Sequence, residues 1–179
     1  MKTIITFLSM LFCATSLFAQ TNYYTAARTF NENGYTYQCD VSISKIVTLY
    51  NKSNKLTYAD QTIKNTGALF IEPDDVSFGT IELGWPREKL ISIVNNAFTA
   101  AEKQRVKGHK FNIVMYVNPD TGKVDEVHFE FVNLGPYATI PVSVFRKLEL
   151  EVKSNVWFTP TAEGKKLNYI YIHWGSTPQ

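Results

Sequence analysis

Between Tyr23 and Leu69 the chain reads as short period-two strands separated by turns, and the period shifts to 3.6 at Pro86. Tyr35, Tyr37, Cys39 and Val41 share one parity and Thr36, Gln38 and Asp40 the other, which predicts a half-buried strand. Asn33-Gly34 separates this run from Arg28-Thr29-Phe30, and Asn-Gly favours a type I′ hairpin because both central residues take positive φ. Ile46 to Tyr50 and Leu56 to Tyr58, joined by Asn51-Lys52-Ser53-Asn54, predict a second hairpin. Residues 67–84 read as a connector holding one or two short strands.

Beyond Pro86, the residues Leu90, Ile93, Val94, Ala97, Phe98 and Ala101 mark one face of a helix that should end near Gln104. Phe111, Ile113, Met115 and Val117 then alternate with Asn112, Val114 and Tyr116, and Pro119-Asp120-Thr121-Gly122 turns the chain into a second strand. There Val127, Phe129 and Phe131 oppose Glu126, His128 and Glu130. Pro141 opens another helix, with Val144, Phe145, Leu148 and Val152 as its buried stripe and Arg146, Lys147, Glu149 and Glu151 expected on its solvent side. Asn155 should end it, and Lys166 to Trp174 should form the last strand, with Leu167, Tyr169 and Tyr171 opposite Ile170, Ile172 and Trp174. The expectation is an α+β fold: N-terminal antiparallel hairpins, then an α-β-β-α-β unit with two helices on one face of a three-stranded antiparallel sheet.

The N-terminus carries Lys2, an apolar run from Ile4 to Phe12, and Ser16-Leu17-Phe18-Ala19, the layout of a secretory signal peptide cut after Ala19. The apolar run is shorter than the roughly 20 residues that span a bilayer, so no membrane insertion is expected after signal removal. The regions are then 1–19 signal, 20–84 hairpins and 85–179 the α+β unit. The first region of the mature chain has little aliphatic content, so the two are expected to share one core. Cleavage removes Cys13 and leaves Cys39 alone, which excludes an intramolecular disulfide. It also removes Lys2, leaving 17 basic against 16 acidic residues, a balance that points to neither nucleic acid nor a polybasic membrane patch. The expected location is outside the cytoplasm, in the periplasm or associated with the outer membrane.

Candidate chemistry is sparse. The chain has three histidines, and period two places His128 between Glu126 and Glu130 on one strand face, successive members roughly 7 Å apart. Such a face can hold a metal or a proton donor, yet alternating charge is ordinary on the solvated side of a sheet, which is the expectation here. Glu72, Asp74 and Asp75 lack the spacing of a calcium loop, Ser42 and Ser44 lack a nucleophile elbow, and Cys39 sits in a strand pattern that buries thiols. No catalytic residue, metal or cofactor is expected. Aromatic residues are abundant, with ten Tyr, twelve Phe and three Trp. Tyr35 and Tyr37 on the first hairpin suit glycan contact, and Tyr169, Tyr171 and Trp174 lie on a strand that should form an edge.

From Trp85 to Trp174 the order of elements resembles the C-terminal domain of TonB. The residues that carry the resemblance are the turn Val117-Asn118-Pro119-Asp120-Thr121-Gly122, one residue longer before its glycine than the TonB pattern, and Trp157-Phe158-Thr159-Pro160 after the second helix. The resemblance implies an exposed last strand to which a partner's extended peptide adds, with Leu167, Tyr169, Tyr171, His173 and Trp174 as the binding residues and an envelope protein or peptide as partner. A second copy of the chain is the alternative occupant. A retained membrane helix and a long Pro-rich spacer, which an energy transducer needs, are missing, so the implied role is binding alone. The first half, with Leu49-Tyr50-Asn51-Lys52-Ser53-Asn54-Lys55, is similar to uncharacterised exported proteins of Bacteroides-type bacteria. Two other roles stay open: carbohydrate binding through Tyr35 and Tyr37, and a small periplasmic hydrolase built on Glu126, His128 and Glu130.

Overall fold

A computed structural model of the chain describes residues 21–71 and 79–179; the segment expected to be a signal peptide and the acidic residues Glu72, Asp74 and Asp75 lie outside the described residues. β1 (Arg28–Glu32) and β2 (Tyr35–Val41) form the expected hairpin, with Asn33 and Gly34 at φ of 47° and 82°. β3 (Ile46–Asn51) pairs with β2, as Gln38↔Tyr50 and Asp40↔Thr48. After α1 (Arg87–Ala97) and α2 (Ala100–Val106) come β4 (Phe111–Val117), β5 (Val124–Val132), α3 (Val142–Asn155) and β6 (Ile170–Ser176). All pairings are antiparallel, and the six strands lie in the order β1-β2-β3-β5-β4-β6.

The second expected hairpin does not form. The free edge of β3 pairs instead with β5, from Ile46↔Val132 to Tyr50↔His128, while residues 52–63 cross the other face of the sheet. β5 presents Phe129 and Phe131 in register with Leu49 and Val47, all buried, and the three residues Leu56 to Tyr58 offer no comparable apolar ladder. The sheet is therefore six strands wide rather than three, and one hydrophobic core runs from Tyr37 and Leu49 through Ile113 and Phe129 to Trp174.

The helix after Pro86 is also broken, at Phe98-Thr99. The Thr99 hydroxyl accepts from the Glu102 N–H while the Glu102 carboxylate accepts from the Thr99 N–H, a capping box that satisfies the exposed amides of a new helix start. The break lets Phe98 take an extended backbone and pack edge-on against Phe111, at 6.0 Å between ring centroids, and Tyr137, at 6.3 Å. On α3 the expected stripe is buried, and Phe145 stacks on Phe131 at 5.1 Å and lies 5.2 Å from Phe129.

Arg146 and Glu149, expected in solvent, are 6% and 1% exposed because β2 and β3 widen the sheet beneath α3. Glu149 accepts hydrogen bonds from the Tyr37 hydroxyl and from Arg146 and Asn51, and the Arg146 guanidinium sits 3.2 Å above the Tyr35 ring. Burial of this carboxylate is offset by its donors, in keeping with the cost of an unpaired buried charge.

The β4–β5 turn supports the segment that leads to β6. Gly122 has φ of 72°, its carbonyl accepts from Phe158 N–H at 2.8 Å, and a Cβ there would lie 1.9 Å from the Phe158 carbonyl oxygen. Gly122→Ala is therefore expected to destabilise the protein by about 2–4 kcal/mol in urea unfolding, since it combines left-handed strain with a backbone clash. A loss under about 0.5 kcal/mol would show that this contact is dispensable.

Candidate functional site

With the helices on one face, the other face of the sheet carries the polar parity of each strand. Two cross-strand rows run over five strands: Gln38, Tyr50, His128, Val114, His173 and, beside it, Asp40, Thr48, Glu130, Asn112, Gly175. The segment 52–63 lies across part of this face as a strap. Glu126 accepts from the backbone N–H groups of Lys55 and Leu56 at 2.8 Å each, the Tyr116 hydroxyl donates to the Thr57 carbonyl at 3.0 Å, and the Tyr169 hydroxyl donates to the Ala59 carbonyl at 2.6 Å. Leu56 packs on Val114, Tyr116 and Tyr169 beneath the strap. Glu126 is thus a structural anchor of the strap and is separated in role from His128 and Glu130, its expected companions.

His128 is buried and held at both ring nitrogens. The Thr57 carbonyl can only accept, so the Tyr116 proton points to it and the Tyr116 oxygen accepts from His128 Nδ1 at 3.1 Å. Nε2 of His128 faces Glu130 Oε1 at 3.3 Å, and His173 Nε2 faces Glu130 Oε2 at 3.4 Å. The hydrogen bond from His128, outweighing partial burial, holds the Glu130 carboxyl below its ordinary range. The Tyr171 and His173 rings lie parallel at 6.5 Å and both are exposed. Among the described residues no group of three or more His, Cys, Asp and Glu side chains could hold a metal ion.

A second cluster, which sequence reasoning missed, centres on Asp40. Its carboxylate accepts from Gln38 Nε2 at 2.8 Å and from the hydroxyls of Tyr50 and Tyr58 at 2.9 and 2.8 Å. Partial burial works against ionisation, but the three donors prevail and the carboxyl lies below its usual range. The parity of Gln38 and Asp40 was legible as a polar face; the arrival of Tyr58 depends on the strap and has no local signal.

Of the residues expected to bind a peptide, Leu167, Tyr169 and Trp174 are buried, at 1%, 4% and 7% exposure, while Tyr171 and His173 are exposed. The expected strand also starts later. Lys64 N–H donates to the Lys166 carbonyl and Asn168 N–H to the Thr62 carbonyl, so the strap's continuation pairs with Lys166 to Asn168, and β6 begins at Ile170. Tyr37 is fully buried, and one face of Tyr35 is covered by Arg146, so the first hairpin offers glycans little aromatic surface. Cys39 is buried and free, as its parity predicts.

A six-stranded antiparallel sheet with helices on one face and a pinned strap on the other defines an α+β protein. Over residues 20–174 the chain matches a domain of unknown function, DUF5043, and it belongs to that family. It is similar to a DUF5043 family protein from Bacteroides uniformis ATCC 8492, whose crystal structure matches it with a TM-score of 0.83 at 42% identity over 89% of each chain. No curated protein matches the chain. Among the described residues, no helix is long and apolar enough to cross a membrane.

Two predictions follow from these anchors. Glu126→Ala should leave the global unfolding free energy within about 1 kcal/mol but raise hydrogen exchange at Lys55 and Leu56 at least tenfold, since a local hydrogen-bond pair is lost; unchanged exchange would show the strap is held without it. Asp40 and Glu130, lowered in the folded state, supply stability that is present above the ordinary carboxylate range and lost as pH falls through their lowered values. Urea midpoints should therefore drop below about pH 4, and Asp40→Asn with Glu130→Gln should flatten that drop.

Proposed function

We propose that this protein is an exported, non-enzymatic binding module whose β6 edge takes up an extended peptide of an envelope protein by strand addition. The observation that carries the reading is the contrast between the two sheet edges. β1 is five residues long and ends in Arg28 and Glu32, charges of the kind that blunt an edge. β6 runs seven residues, Ile170–Ser176, without a Lys, Arg, Asp or Glu, and among the described residues its main chain pairs only with β4. An undefended edge of this length is a template for an added strand.

The arrangement around the edge supports the reading. β4 lies between β5 and β6, α1 and α3 pack behind, and the last strand is outermost; an exposed last strand is what the TonB resemblance implies. Leu167, Tyr169 and Trp174 hold the strand in place: Trp174 packs edge-on to Trp85 at 6.1 Å, and Tyr169 is pinned to the strap. Tyr171 and His173 then flank the incoming peptide on the open face.

The test has two parts. In the isolated protein, amides of Ile170–Ser176 that point away from β4 should exchange at least about a hundredfold faster than those bonded to it. Photo-crosslinking from position 171 in cells should trap an envelope protein, and His173→Lys, which adds a charge to the edge, should abolish the trapping without changing stability. Uniformly slow exchange along β6, or crosslinks to this chain alone, would overturn the proposal.

A further inference from the structure

A second site lies away from the β6 edge and does not depend on it. Residues of β2, β3 and the strap line an open cleft of about 570 Å³, among them Asp40, Tyr50, Tyr58, Lys52 and Lys55. We infer that this cleft binds an acidic saccharide, the Tyr58 ring stacking on a sugar face, Asp40 accepting from sugar hydroxyls and the two lysines meeting the acid group.

Each part of the cleft asks for one feature of such a ligand. The Tyr50 and Tyr58 rings meet edge to face, 5.7 Å between centroids at 87°, and Tyr58 remains 67% exposed although its hydroxyl is fixed on Asp40. An exposed ring already held in one orientation gives contact area at low entropy cost, and its flat apolar face with a polar edge suits the C–H face of a pyranose. Burial, with the Asp40 carboxylate as hydrogen-bond partner, pushes the Tyr50 phenol up to about 12, so it remains a donor and Asp40 remains the acceptor.

A carboxylate has room for about four hydrogen bonds, and Asp40 receives three from the protein. The remaining lone pair calls for a donor, which a polyhydroxylated ligand supplies and a phosphate or an acyl chain does not. Lys52 and Lys55, like most of the described lysines, make no ion pair with any described residue, so both ammonium groups are open to a ligand. Two unpaired ammonium groups over a wall of tyrosines favour a sugar that carries its own negative charge, as a carboxylate or as a sulfate.

The experiment titrates the isotope-labelled protein with trigalacturonate, a chondroitin sulfate disaccharide, cellotriose and adenosine monophosphate, following amide resonances of Tyr50, Lys55 and Tyr58. At least one acidic saccharide should produce saturable shifts at these residues, with cellotriose at least about tenfold weaker. Comparison of the first two probes tells carboxylate from sulfate. Tyr58→Ala should weaken binding at least tenfold and Tyr58→Phe, which keeps the ring, by less than about threefold; the Phe variant also separates loss of the stack from loss of the strap. Lys52→Ala with Lys55→Ala should bring the acidic probe down to the level of cellotriose. No saturable shift with either acidic saccharide at about 10 mM, equal binding of adenosine monophosphate, or unchanged affinity in Tyr58→Ala would overturn the inference.

Discussion

Most of this structure depends on the pairing of β3 with β5. Those strands are separated by 72 residues of chain, from Asn51 to Val124, and a contact of that range carries a loop-closure cost that only a well-matched ladder offsets. The match is in the side chains: Val47 against Phe131 and Leu49 against Phe129 on the helix side, Thr48 against Glu130 and Tyr50 against His128 on the other. Joined this way, the N-terminal meander acquires helices it does not encode and the C-terminal unit acquires the strands that cover the far side of α3. Burial of Glu149 with Tyr37 and Asn51 follows from the same union.

The two faces of the sheet solve different problems. On one, aromatic rings of β4, β5 and α3 meet at 5.1 to 6.2 Å in the core. On the other, polar side chains pair with one another and with the backbone of the strap, so that a segment without regular structure has its N–H and C=O groups satisfied by Glu126, Tyr116 and Tyr169. The strap in turn decides what this face displays. It covers Val114 and Tyr116, leaves Tyr171 and His173 open at the β6 side, and brings Tyr58 over Asp40 at the β2 side.

Periodicity carried most of the C-terminal unit. The parity of β4, β5 and β6, the stripe of α3 and the turn at Gly122 are local properties, set by the repeat of a strand or helix and by the sign of φ, and they were legible without the fold. So was the Asn33-Gly34 hairpin. The capping box at Thr99 and Glu102 was legible too, but the continuous apolar stripe through Phe98 and Ala101 masked it. Leu56 to Tyr58 misled for the opposite reason: three alternating residues are too few to fix pairing, and a nine-residue strand elsewhere in the chain was the better partner.

By itself, then, the sequence determined most element types, the inward parity of the long strands, the α+β class and the absence of charge on the last strand. Tertiary structure alone decided which strands became neighbours, and with that which polar residues were buried, which were gathered and which were left open. His128 and Glu126 stand two residues apart on one strand face, yet one is locked between Tyr116 and Glu130 and the other pins the strap. The β2–β3 pairing brings Tyr50 to Asp40, and Tyr58 joins them only because the chain after β3 leaves the sheet and folds back over it. The physical reason is that periodicity acts over a few residues, whereas the hydrogen bonds that make a site join groups whose separation along the chain no local pattern records.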